Sequence, residues 1–182
     1  MGAYFLVVNP VRRQYLDPSR FGEAVKISSV LRGDHCIGSL KLLIADCYGR
    51  DTTSFRGAWL GDPVILAGDD SGFPCPGGLM TASPDDAGRN LHAMARSEFT
   101  DISYRALAEL CRDGATAAEL AGRSKEDESL LIDLGATLEQ YPLASLEAAL
   151  NAAVGKPWRR AYSQARAKLP WWNTLPPIDW AL

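Results

Sequence analysis

An α+β fold, with a small β-containing N-terminal part and a mainly helical C-terminal half, is predicted by two contrasts along this chain. Up to about Ala82, apolar residues come in short runs bounded by turn signals such as Asn9-Pro10, Gly61-Asp62 and Asp69-Asp70-Ser71-Gly72. From Ser83 onward they recur every three or four residues between capping residues, the period of an amphipathic helix. Length and composition agree with one packed domain. A chain of 182 residues, 47% hydrophobic and 23% charged, lies outside the regime of disorder. At that length it buries roughly 70% of the surface its unfolded form exposes, so no disulfide or metal is required to hold it.

Residues 3–9 (AYFLVVN) are aromatic and β-branched and read as a strand, and Asn9-Pro10-Val11-Arg12 turns it into a short return strand over 13–16. Asp17-Pro18 places a cap before a proline, the start of a short helix through Phe21 that Gly22 interrupts. Residues 23–31 fit strand and helix equally. Asp34 is the expected cap of a helix over 35–48, whose Ile37, Leu40, Leu43, Ile44 and Cys47 share one face. Two short strands, 58–60 and 63–67, are predicted around Gly61-Asp62. Residues 73–82, with two prolines and two adjacent glycines, are predicted as an irregular loop.

Ser83-Pro84-Asp85-Asp86 carries the cap, first-turn proline and acids of a helix start, and a helix to about Arg96 is expected. A second begins at Asp101, aligns Ile102, Ala106, Leu110 and Cys111, and is predicted to stop at Gly114. Thr116 is the expected cap of a short helix to Ala121. Ser124-Lys125-Glu126-Asp127 resembles a capping box ahead of Leu130, Leu131, Leu134 and Leu138. Pro142 ends that helix. Leu146, Leu150 and Val154 mark the next, stopped by Gly155, and residues 157–169 make the last. The segment 170–182 holds three of the five tryptophans and three prolines and is expected to be extended. With no repeat and no long linker, the reading is a single domain, 1–182, with subdomains at 1–82 and 83–169 and a Pro/Trp-rich tail.

Tyr4-Phe5-Leu6-Val7-Val8-Asn9, Tyr15-Leu16-Asp17-Pro18 and Phe21-Gly22 resemble the start of a family of small uncharacterised bacterial and phage proteins. Gly57-Ala58-Trp59-Leu60-Gly61-Asp62 with Val64-Ile65 is similar to a second segment of it. The resemblance covers roughly the first 70 residues and implies a bacterial or phage origin; it implies no activity.

The net charge of −3 gives no general attraction to nucleic acid or to acidic lipid. The apolar run 4–8 is too short for a signal peptide's core, and no stretch approaches the ~20 apolar residues of a membrane span, so a cytoplasmic location without membrane contact is expected. Cys36, Cys47, Cys75 and Cys111 form no C-x-x-C pair, and no pattern calls for a cofactor or a metal.

For an enzyme, the candidate catalytic groups are Asp69, Asp70, His92 and Cys75. Neighbouring carboxylates can bind a cation or exchange a proton, and a thiol needs a base beside it to react. Asp62 belongs elsewhere, because a strand over 63–67 would separate it from Asp69 by roughly 17 Å. Ordinary turn aspartates and a surface or modestly buried histidine are the simpler reading.

Residues 106–121, with a Gly114 turn and Thr116-Ala117-Ala118-Glu119-Leu120-Ala121, have the outline of a helix-turn-helix. The helix that would read DNA opens Lys125-Glu126-Asp127-Glu128, however. Eleven acids face four bases between Glu98 and Glu147, which opposes a phosphate backbone.

The sharpest asymmetry is C-terminal. Lys156, Arg159, Arg160, Arg166 and Lys168 come with no acid among them, followed by Trp171, Trp172 and Trp180. Three readings compete. The basic helix packs on the acidic helices of its own chain; the tail binds single-stranded nucleic acid by stacking; or the arginines and tryptophans anchor a protein partner. The leading expectation is a non-enzymatic interaction or assembly protein with Arg159, Arg160, Trp171, Trp172 and Trp180 as its contact set, binding a protein partner or a second copy. A small enzyme is the alternative, and nucleic-acid binding comes third.

Overall fold

The computed structural model describes residues 4–23, 26, 34–45, 55–69 and 90–169. By its contacts the chain divides into two units, Met1–Ser19 with Glu23–Ser103, and Arg20–Gly22 with Tyr104–Leu182. A four-stranded sheet in the first and helices concentrated in the second make the fold α+β.

In the first unit, Phe5–Asn9 (β1) and Gln14–Leu16 (β2) form the expected antiparallel hairpin, with Val8 opposite Tyr15. Asn9 explains the turn. Its buried side chain accepts the Arg12 amide at 2.9 Å and donates to Asp62 Oδ2 at 3.0 Å, while Arg13 takes the left-handed conformation at φ 53°. Ile65–Gly68 (β3) runs antiparallel along the other edge of β1. The sheet order is β3-β1-β2 and then Thr100–Asp101 (β4), a two-residue strand parallel to β2. Leu6, Val8, Tyr15 and Ala67 form a core with Leu91, Met94, Ala95 and Phe99 of the helix Leu91–Glu98.

The predicted strand over 58–60 is instead a series of turns. Gly57 and Gly61 have φ of 70° and 81°, and the amides of Ala58, Leu60 and Asp62 bond back to Phe55, Gly57 and Trp59. Asp34–Ile44 (α1) ends four residues earlier than expected, because the Gly57 and Trp59 amides take up its Leu42 and Leu43 carbonyls. At the other end of α1 the acceptor is not Asp34. Glu23 Oε1 takes the amides of His35 at 2.7 Å and Cys36 at 3.3 Å, so a residue remote in sequence caps the helix.

Leu91–Glu98 is α2. It starts from Asn90, whose backbone is extended and whose side chain accepts the Ala93 amide. The helix expected from Ser83 is therefore not continuous through this point; Ser83 itself lies outside the described residues, as do the loop predicted at 73–82 and most of 23–31.

The second unit contains the helices Ser103–Leu110 (α3), Gly114–Arg123 (α4), Glu128–Gln140 (α5), Ala144–Ala153 (α6) and Trp158–Ala167 (α7). Their number and order match the sequence pattern, and three caps differ from it. Asp101 opens no helix but sits in β4, its carboxylate accepting the Ser103 amide. Asp113, not Thr116, caps α4, so Gly114 begins that helix rather than ending α3. Asp127 caps α5, whereas Ser124 closes α4 with its hydroxyl on the Ala121 carbonyl. For α4 and α5 the aspartate nearest the first turn wins over the hydroxyl, since a carboxylate both accepts the amides and opposes the helix dipole.

Helix α5 is the core of this unit. All nine residues from Leu130 to Leu138 are buried, and α7 packs across it with Tyr162 over Gly135. Helix α6 packs against α4, its Ser145 hydroxyl donating to the Cys111 carbonyl at 2.6 Å.

Candidate functional site

Helix α7 and the residues flanking it carry the basic residues singled out by the sequence, and three of these cations are engaged within the chain. Arg159 pairs with Glu147 of α6 and lies 4.7 Å over the Trp158 ring. Arg166 meets Glu139 at 2.6 Å, and Lys168 meets Glu128 at 2.6 Å, both on α5. These ion pairs are exposed, so each contributes little to stability; what they do is fix the register of the basic helix on its acidic neighbours. The inward face, Trp158, Tyr162 and Ala165, is buried. Arg160 points outward and is exposed. Trp171, Trp172 and Trp180 lie outside the described residues, which reach Leu169.

Where α7 ends beside the start of α5, the surface is concave. A groove of about 590 Å³ is lined by Ser124, Lys125, Glu126, Glu128 and Leu131 on one side and by Ala161, Gln164, Ala167 and Lys168 on the other. The two alanines and Leu131 supply apolar contact, and two lysines and two glutamates frame it. Burial of α5 also answers the helix-turn-helix outline. A recognition helix must present one face to a groove of DNA, and residues 130–138 have no exposed face to present.

The enzymatic candidates are only partly assembled. Asp70 and Cys75 lie outside the described residues. Asp69 ends β3 and accepts the Tyr4 amide at 2.9 Å, whereas Asp62, before the same strand, is held by Asn9 and Arg12. The two aspartates thus sit at opposite ends of the β1–β3 pair, and the hydrogen bonds from Asn9 and then Arg12 hold the Asp62 carboxyl below its usual range.

His92, in the first turn of α2, is close enough to Asp69, Asp17 and Arg96 for their charges to act on it. Its Nε2 is buried without a hydrogen-bond partner. Burial, then Arg96, lowers the imidazole from its ordinary value, against the opposing pull of Asp69 and Asp17. The neighbouring polar pair was not legible in the sequence: Asp17 is buried and ion-paired to Arg96 at 2.8 Å while accepting from the Ser19 amide and hydroxyl. Cys36 and Cys111 are buried thiols whose ionisation burial suppresses, Cys111 being pushed up to about 12, so neither is a nucleophile as it stands. Among the described residues no group of three or more His, Cys, Asp or Glu side chains is placed to hold a metal ion, and no helix is long and apolar enough to cross a membrane.

The His92 environment has a measurable consequence. A ring with a lowered folded value binds its proton more readily in the unfolded chain, so its contribution to stability is complete above about pH 6.5 and falls as pH drops through that value. A His92→Asn variant is expected to lose part of the fall in stability between about pH 7 and pH 5. Urea midpoints across that range, with an NMR titration of the ring, check it. His35 is present in both proteins, so the difference belongs to His92. The carboxylates Asp62 and Asp113 are both held low and act in a separate, more acidic window. Identical pH slopes for the two proteins would remove the assignment.

Comparison of the chain with family models, with curated proteins and with solved structures finds no match.

Proposed function

We propose that this chain is a non-enzymatic interaction and assembly protein of bacterial or phage origin, working in the cytoplasm through its C-terminal end. The contact set is Arg160 together with Trp171, Trp172 and Trp180, and the partner is a protein, the first candidate being a second copy of the chain. What supports this reading is the arrangement of α7. Arg159, Arg166 and Lys168 pair with Glu147, Glu139 and Glu128, while Arg160 is exposed on the same helix and the three tryptophans follow it in the sequence. Tryptophan and arginine concentrate binding energy at interfaces, because each offers a large contact area together with a polar handle.

A chain ending at Leu169 tests the proposal. Sedimentation over a concentration series is expected to show self-association of the full chain and a monomer for the shortened one. Circular dichroism should show that the shortened chain keeps its helices. Association that survives the truncation, or a full chain that stays monomeric throughout, would count against assembly through this segment.

One observation favours a second reading, a small enzyme. Asp69 and His92, two of the four catalytic candidates, interact electrostatically, and the His92 imidazole, held below its ordinary value, is neutral at pH 7, the form in which a general base accepts a proton. The NMR titration above bears on it, since a ring that titrates well above pH 7 would be protonated there and no longer a candidate base.

A further inference from the structure

We infer that the cavity between α3 and the α5–α6 turn binds a small organic acid, one carboxylate on an apolar body. This site is separate from the assembly role and does not depend on the C-terminal segment.

Helical spacing builds the first wall. Arg105, Ala108, Glu109 and Arg112 lie three and four residues apart, so they share one face of α3 and of the turn that continues it. Tyr141-Pro142-Leu143, which joins α5 to α6, forms the second wall, and the two enclose about 240 Å³. A hydrogen bond fixes their spacing, because the Ser145 hydroxyl in the first turn of α6 donates to the Cys111 carbonyl at the end of α3, at 2.6 Å. The volume lies below the roughly 300–1,000 Å³ of sites for drug-sized ligands, so the occupant is smaller than those.

Charge selects an anion. Arg105 and Arg112 against Glu109 leave the lining with a net charge of +1. Glu109 is already neutralised, since Arg112 Nε meets its Oε2 at 2.9 Å. That pair also places the guanidinium. The Glu109 side chain is 13% exposed, so it draws its partner down against the wall, although the Arg112 side chain as a whole is 60% exposed. With Nε used in this way, the two terminal nitrogens of Arg112 have no partner among the described residues, and they match the two oxygens of a carboxylate. The second wall carries no formal charge. Pro142 has no amide hydrogen to donate, and neither Leu143 nor Ala108 has a polar side-chain atom, so the rest of the ligand meets mainly carbon.

Titration of the full chain with phenylacetate, followed by the backbone amide resonances, tests the site. Saturable shifts are expected at Ala108 and Leu143, with a Kd on the order of a millimolar. Acetate, which lacks the ring, and phenylacetamide, which lacks the charge, are each expected to bind about tenfold more weakly. Arg112→Gln is expected to weaken phenylacetate by about tenfold while circular dichroism stays unchanged. Arg105→Gln is expected to do the same and serves if the first variant folds poorly. Glu109→Gln, which removes the one negative charge of the lining, should bind phenylacetate at least as tightly as the parent chain. Absence of saturable shifts at Ala108 and Leu143 overturns the inference, as does an affinity that both arginine variants leave unchanged. Acetate or phenylacetamide binding as tightly as phenylacetate overturns the assigned ligand class. A Glu109→Gln loss as large as that of Arg112→Gln would make the ion pair, not the free guanidinium fork, the feature that matters, and would overturn it as well.

Discussion

Gly135→Ala is expected to destabilise the helical unit by about 1–3 kcal/mol, the usual cost of overpacking a filled core. Helix propensity alone predicts the opposite, a gain of up to about 1 kcal/mol for alanine over glycine in the middle of α5. Geometry decides the sign. A Cβ at this position would stand 2.4 Å from Tyr162 Cδ2 and 2.7 Å from both Cγ and Cε2. Those are atoms of a rigid ring rather than the end of a flexible chain. The ring is buried, and its hydroxyl accepts from Arg166 at 2.9 Å, so it cannot swing aside without opening the contact between α5 and α7. The same packing pushes the Tyr162 phenol up to about 12, burial being the main cause. Urea denaturation of Gly135→Ala, Tyr162→Ala and the double variant checks the argument. Tyr162→Ala alone should cost about 3–5 kcal/mol, and the double variant less than the sum, because the truncated side chain no longer meets the new methyl. A Gly135→Ala protein as stable as the parent would mean that propensity, not the ring, governs the position.

Much of the fold was legible because its elements advertise themselves locally. The hairpin of β1 and β2 follows from β-branched alternation and the Asn9-Pro10 turn, and the five helices of the second unit follow from apolar spacing with Gly and Pro stops. The departures around α1 have a non-local cause. Residues 58–60 look like a strand until Gly57 and Trp59 are seen to close the end of α1. The acceptor at the start of α1 is Glu23, eleven residues before Asp34, and no local pattern announces it. The exchanged caps are a subtler failure. Asp113 and Thr116, or Ser124 and Asp127, are three residues apart, and both members of each pair have capping chemistry. In each pair the carboxylate was the better choice.

The candidate site was legible in part. Contrast between an acidic helical stretch and a basic final helix pointed to α7, and the pairs Arg159–Glu147, Arg166–Glu139 and Lys168–Glu128 realise it within the chain. Its exposed Arg160 was named with Arg159, although only contacts across helices separate their roles. The groove has no signature in the sequence, because its walls come from the α4–α5 corner and from α7, about 30 residues apart, and because Ala161, Gln164 and Ala167 carry no motif. The sequence shows His92 but not its environment. Only the approach of α2 to the end of β3 places it within the influence of Asp69.

Asp133→Ala is expected to cost the helical unit about 3–5 kcal/mol, the loss typical when one partner of a buried ion pair is removed. Asp133 lies in the most buried stretch of α5 with its side chain 3% exposed, where an unpaired carboxylate would be untenable. Its Oδ1 accepts from Tyr104 Oη at 2.9 Å and from Arg20 at 3.2 Å, and the Arg20 guanidinium lies 5.4 Å from the Tyr104 ring centroid. Removing the carboxylate strips a partner from both donors at once. Arg20 keeps some contact with water at 20% exposure, which favours the lower end of the range. Asp133→Asn, which retains an acceptor for Tyr104 but no charge for Arg20, should fall between the parent and the alanine variant. Replacing both charges, as in Arg20→Met with Asp133→Leu, should cost less than Asp133→Ala alone, because no unpaired charge is left inside. That ordering, read from urea midpoints, separates an electrostatic role from mere space-filling. If Asp133→Leu alone were as stable as the double variant, Arg20 would not depend on the carboxylate. Arg20 and Asp133 are 113 residues apart, and their pairing joins the short segment after Asp17-Pro18 to the helices together with the bond from Arg123 to the Gly22 carbonyl. Loss of that pairing should therefore appear first as release of residues 20–22, seen by hydrogen exchange before the helices themselves open.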